Sequence, residues 1–160
     1  MNRRGFTLVE TIIYVALFAS AIGVLSSVFV SSLRTDKLTE QQHELLQTRR
    51  LIEIRLREAV EQAGIISSPS AGTSDTLTVD GGAFANGAQT FTVAGQTLYY
   101  QDGSASAVAI TPSSLDITSF AVTRIASSPP GVGVSFTIAT QDTATTQSFD
   151  SVFSVFLRYE

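Results

Sequence analysis

Hydrophobic residues are spaced in three different ways along this chain. Residues 6–30 form an apolar run of 25 residues whose only charged member is Glu10. A helix needs about 20 apolar residues to cross a bilayer, so this run is long enough to span one. Thr7, Thr11, Ser20, Ser26 and Ser27 interrupt it, but hydroxyls can bond back to helix carbonyls and so remain compatible with a membrane helix. Arg34 and Lys37 mark the return to water. From residue 36 to 63 the spacing becomes that of an amphipathic helix. Leu38, Leu45, Ile52, Leu56, Ala59 and Ala63 make one apolar stripe. Arg49–Glu53, Glu53–Arg57 and Arg57–Glu61 stand four apart on the exposed side, each pair worth about 0.2–0.5 kcal/mol. No proline occurs before Pro69, and Gly64 is a plausible helix stop. The two stretches therefore read as one continuous helix, about 85–90 Å long at a rise of 1.5 Å per residue.

Residues 67–74 (Ser-Ser-Pro-Ser-Ala-Gly-Thr-Ser) are a loop by composition. Beyond them the period falls to two. Strands are expected over 76–80, 90–93 and 97–101, with Ala94-Gly95-Gln96 turning one into the next and a further turn at Asp102-Gly103. A longer strand is expected over 115–125, ending before Pro129-Pro130-Gly131. In the next strand Val132, Val134, Phe136 and Ile138 alternate with small and hydroxylated residues. In the last, Phe149, Phe153, Val155, Leu157 and Tyr159 share one face. The fold class is α+β: one long N-terminal helix laid on a small antiparallel sheet. The expected divisions are a basic leader (1–5), an apolar membrane helix (6–33), an amphipathic helix packing on the head (34–64) and a β-rich head (65–160).

Composition narrows the chemistry. Hydrophobic residues make up 44% of the chain, and the excess lies at the N-terminus. The net charge is −4, and loss of Arg3 and Arg4 would make it −6, so no nucleic-acid partner is expected. The densest basic cluster, Arg49, Arg50, Arg55 and Arg57, is interleaved with Glu53 and Glu58 and is nearly neutral. With no cysteine, disulfides, thiol catalysis and Cys-ligated zinc are excluded. His43 is the sole histidine and lacks partners for a transition-metal site. No Gly-x-Ser-x-Gly elbow is present, and no catalysis is expected. Asp75, Asp80, Asp102, Asp142 and Asp150 lie in or near loops without an Asp-x-Asp-x-Asp cluster. Solvated acids suit them better than calcium, and no cofactor is expected.

The informative residues are Arg3-Arg4-Gly5-Phe6-Thr7-Leu8-Val9-Glu10. Arg3 and Arg4 hold the N-terminus in the cytoplasm. Gly5 has no side chain and leaves the backbone open to close approach. Glu10 is the costly residue, since an acid at mid-bilayer costs on the order of 2.5–3.5 kcal/mol. Its place near the helix start lowers that cost, because the positive end of the helix dipole favours an anion. This octet, followed at once by an apolar helix, resembles the processing site of type IV prepilins and type II secretion pseudopilins. The resemblance covers about the first fifth of the chain and implies a pilin-like fold. It implies cleavage after Gly5 and N-methylation of Phe6 by one membrane peptidase/methyltransferase. Glu10 would then pair with the Phe6 amine of a neighbouring subunit and set register in a filament. Further implied partners are other pilin or pseudopilin subunits, a membrane assembly platform, an assembly ATPase and, before assembly, the lipid bilayer. The precursor would sit once through the bacterial inner membrane, its N-terminus in the cytoplasm, before entering a cell-surface or periplasmic filament.

Many major pilins carry a proline within the membrane helix. Here Ser27 stands near its expected place, and Gly23 is the flexible residue in the run. This departure is similar to minor pilins and minor pseudopilins, as are the segments 114–124, 131–140 and 148–159. The paired cysteines of many pilin C-terminal loops are absent as well. Three other readings compete. In a conventionally exported protein, Ala19-Ser20-Ala21 would be the cleavage site, or Arg3-Arg4-Gly5-Phe6 part of a twin-arginine signal. In the second the chain is an uncut, single-pass anchored binding module. In the third it is a tip adhesin that shares the prepilin route.

Overall fold

The structure is a computed structural model that describes residues 8–82, 84, 87–141 and 146–158. A single helix, α1, runs from Leu8 to Gln62, and antiparallel strands follow it, so the fold is α+β. The chain divides into two compact units, Met1–Glu40 and Gln41–Glu160.

The described part of the first unit is helix alone. Its side chains are almost entirely exposed, among them Ile12, Val15, Phe18, Leu25 and Phe29. This part of α1 is long and apolar enough to cross a membrane, and none of its apolar window is buried within the chain. Ser20, Ser27 and Thr35 bond back to the helix: Ser20 Oγ to Leu17 O and Ser27 Oγ to Val24 O, both 2.8 Å, and Thr35 Oγ1 to Ser31 O, 3.1 Å. Each hydroxyl is thereby satisfied without water, as an apolar surrounding demands.

In the second unit, the rest of α1 buries Leu45, Thr48, Ile52, Leu56, Ala59 and Val60. The expected stripe is there, with Thr48 and Val60 added and Leu38 only half-buried. One sheet has the order β1-β3-β4-β5-β6 and the other β2-β7-β8-β9, with every pair antiparallel. The strands are β1 (Ile65–Ser68), β2 (Thr73–Ser74), β3 (Thr76–Asp80), β4 (Gln89–Ala94), β5 (Thr97–Asp102), β6 (Val108–Ala109), β7 (Leu115–Ile125), β8 (Gly131–Thr140) and β9 (Ser148–Phe156). Leu77, Val79, Phe91 and Leu98 of the first sheet join Val122, Val134, Phe136 and Ile138 of the second and the helix stripe in one core.

Local chemistry explains the joints. The β4–β5 turn places Gly95 at φ 55° and Gln96 at φ 68°, the two left-handed residues of a type I′ hairpin. Its tip is pinned because the Ile117 N–H donates to Gln96 O at 2.7 Å. A bulge between Ile117 and Ser119 shifts the inward parity of β7. Leu115 and Ile117 before it, and Phe120 and Val122 after it, therefore all reach the core.

Four details differ from the sequence-based expectation. There are two sheets rather than one. The loop expected over 67–74 contains the end of β1 and all of β2. These short strands have no readable periodicity and are set by tertiary bonds: Arg124 Nη1 donates to Ile66 O at 2.6 Å, and Thr73 Oγ1 lies 3.0 Å from Thr123 Oγ1. In β9, Val155 and Leu157 are buried and Phe153 packs edge-on against Phe136. Ser151 fills the next inward position, while Phe149, at the strand start, is 36% exposed; Tyr159 lies outside the described residues. The helix ends at Gln62, just before Gly64 as expected, but without a left-handed φ at that glycine. The Gly64 N–H donates to Asp80 O at 3.0 Å, and a Cβ there would lie 3.0 Å from Gly82 N.

Gly82 is the tighter of that pair. At φ +67° its added Cβ would lie 2.1 Å from Gln62 O, the last carbonyl of α1. Gly82→Ala should therefore lower stability by about 2–4 kcal/mol, read as a shift of the denaturant midpoint of the full chain in detergent micelles. An unchanged midpoint would show that the helix end and the turn after β3 are not packed this closely.

Candidate functional site

The site expected from sequence lies at the start of α1. Arg3, Arg4, Gly5 and Phe6 are outside the described residues. Glu10 is inside them, in the first turn of the helix, where the dipole favours its charge. It is half-buried, and Leu8, Val9, Ile12, Ile13 and Tyr14 around it are exposed. The structure thus places one carboxylate at the head of an uncovered apolar surface.

The candidate metal and nucleic-acid residues do not converge. Among the described residues no group of three or more His, Cys, Asp or Glu side chains gathers. Asp80 Oδ1 accepts the Gly81 N–H at 2.7 Å, and Asp150 Oδ1 accepts from Thr137 Oγ1 at 2.8 Å. Asp75 Oδ1 accepts from Thr76 Oγ1 at 3.3 Å, and Asp142 lies outside the described residues. His43 is exposed. Three arginines of α1 pair with its own glutamates: Arg49–Glu53 at 2.8 Å, Arg55–Glu58 at 3.9 Å and Arg57–Glu61 at 3.9 Å. The open groove beside the end of α1, about 860 Å³, carries Arg57 and Arg158 together with Glu58 and Glu61, a balanced set with no single-sign field.

Glu53 has a role that helix periodicity could not show. Besides Arg49, its Oε1 accepts a short hydrogen bond from Ser151 Oγ on β9. The link ties α1 to the sheet through a buried hydroxyl. Burial pushes the Glu53 carboxyl up. The bonds from Ser151 and Arg49, with the charges of Arg49 and Arg57, outweigh this and hold it below its ordinary value. Ser114 Oγ makes a second tie, donating to Glu44 Oε1 at 2.6 Å. The one signal for Ser151 was a polar residue at an inward position of an otherwise apolar alternation.

Residues 1–26 match the family model described as the prokaryotic N-terminal methylation motif. That motif is the hallmark of type IV pilin and pseudopilin prepilin-like proteins, a structural family. No curated protein and no solved structure gives a significant match. The chain therefore carries a prepilin-type N-terminus on a long apolar helix followed by antiparallel sheets, a pilin-like architecture.

Because the folded pKa of Glu53 is depressed, its contribution to stability is present above the unfolded value and is lost as pH falls through the folded one. Ser151→Ala should cost about 1–3 kcal/mol at neutral pH. It should also flatten the acid limb of stability against pH, measured by denaturant melts of the full chain. An acid limb identical to that of the unmodified chain would remove Glu53–Ser151 from the account.

Proposed function

We propose that this chain is a structural, non-enzymatic subunit of a type IV pilus-like or type II secretion filament, made as a prepilin and most similar to the minor subunits. The observation that carries the reading is the methylation motif at residues 1–26 joined to an apolar helix that the chain itself leaves uncovered. Arg3 and Arg4 keep the leader cytoplasmic. A prepilin peptidase cuts after Gly5 and methylates the new amine of Phe6. The apolar part of α1 then leaves lipid and packs against its counterparts in other subunits, driven by an assembly platform and its ATPase.

In such a bundle a lone carboxylate is expensive unless it is paired. The Glu10 carboxylate and the Phe6 amine of a neighbour neutralise each other only when the two helices are in one axial register. Glu10 therefore acts as a positioning residue for assembly. The exported, anchored-module and tip-adhesin readings each lack a specific structural observation in their favour.

The test is mass spectrometry of the N-terminal peptide from the chain in its native host, with and without Glu10→Val. N-methyl-Phe6 is expected at the N-terminus in both, with filament incorporation lost in Glu10→Val. A start near Ile22, or an intact Met1 in assembled protein, would overturn the prepilin route. Normal incorporation of Glu10→Val would overturn the role of Glu10 alone.

A further inference from the structure

Each sheet has two edges, and three of these four are short or guarded. β2 and β6 are two residues each. β1 is four residues long, and its Ile66 carbonyl is taken by Arg124. β9 is different: nine residues, no proline, no lysine, no bulge against β8, and Asp150 its sole charge. A long strand edge of this kind is a template for another strand unless something covers it.

The register shows which groups are open. The Leu157 N–H donates to Pro130 O at 3.0 Å, and the Thr140 N–H to Gln147 O at 2.9 Å. Both pairs extend the β8–β9 register, so odd-numbered positions of β9 bond to β8. In an antiparallel ladder the alternate residues then point their N–H and C=O the other way. These are Ser148, Asp150, Val152, Ser154 and Phe156, and no other described strand pairs with them. On the same residues Val152 is 80% exposed and Phe156 43%, and Arg158 continues the series, also exposed.

We infer that the β9 edge pairs with β9 of a second copy of this chain, antiparallel, with Ser154 facing Ser154 across a two-fold axis. This register sets Val152 opposite Phe156 of the other copy and Asp150 opposite Arg158, each twice. It joins a β-branched residue to an aromatic one and an acid to a base, the cross-strand pairs that stabilise sheets. Sliding by two residues in one direction sets Asp150 opposite Phe156, sliding by four sets it opposite Ser154, and both lose the ion pairs; sliding by eight places Asp150 against Asp150. The sequence of the edge is thus complementary to itself in one register. A two-fold contact closes on itself, and the inference stands apart from the prepilin reading.

The test uses the full chain in detergent micelles, which has no native cysteine. Facing hydrogen-bonded residues lie about 5.5 Å apart at Cα, within disulfide reach. Ser154→Cys should oxidise to a covalent dimer at least tenfold faster than an Ala126→Cys control on an exposed loop. Val152→Cys should do so only when mixed with Phe156→Cys. By sedimentation, Asp150→Arg should weaken the dimer at least tenfold and Asp150→Arg/Arg158→Asp should restore it. Val152→Pro should give a monomer with an unchanged melting transition, since the lost N–H points to the open edge. The inference is overturned if the unmodified chain is monomeric at high micromolar concentration, if Ser154→Cys matches the control, or if the charge swap fails to rescue.

Discussion

An apolar helical surface that none of the described residues covers is the constraint on which the rest of this protein depends. From Leu8 through the run that ends near Val30, large side chains stand exposed that would be buried in a water-soluble domain. Lipid or another apolar surface can cover them without a large free-energy cost. The hydroxyls of Ser20 and Ser27 suit either surrounding, because each already bonds to its own helix. Glu10 is the charged residue of the run, and this gives one carboxylate its weight in the assembly reading.

The second unit solves a more ordinary problem. It buries one stripe of α1 in a core shared with two antiparallel sheets. No disulfide holds the C-terminal strand, since the chain has no cysteine. Packing of Phe153, Val155 and Leu157 does so instead, with Ser151 bonded to Glu53. Arg124 plays the same part for the segment after the helix, donating to Ile66 O and Pro69 O. Such side-chain ties join one sheet to the other, or the helix to a sheet, which the ladders within each sheet do not do.

Much of this was legible in the sequence where a single physical signal dominated. The apolar run, the helix stripe and the strands Thr76–Asp80 and Gly131–Thr140 declare themselves by period. Where two signals compete, the reading changes. Glu53 sits at an ion-pairing position of a helix surface, yet it turns as well to a strand almost a hundred residues away. Ser67, Ser68, Thr73 and Ser74 have loop composition but join strands, because edge pairing depends on the neighbour rather than on the residues themselves. Phe149 has the parity of a core residue but stays exposed near the start of an edge strand. Of the candidate site, the structure locates Glu10, whereas the case for Gly5 and Phe6 rests on the motif.

The most direct test of the uncovered-helix account is the water accessibility of Phe18, near the middle of the run. With Phe18→Cys as the only thiol in the chain, a membrane-impermeant maleimide is applied to native membranes and to isolated filaments. The account predicts protection in both and full labelling after denaturation. Labelling in native membranes at the rate of a cysteine placed at the exposed Ala126 would contradict it, since the apolar surface would then be standing in water.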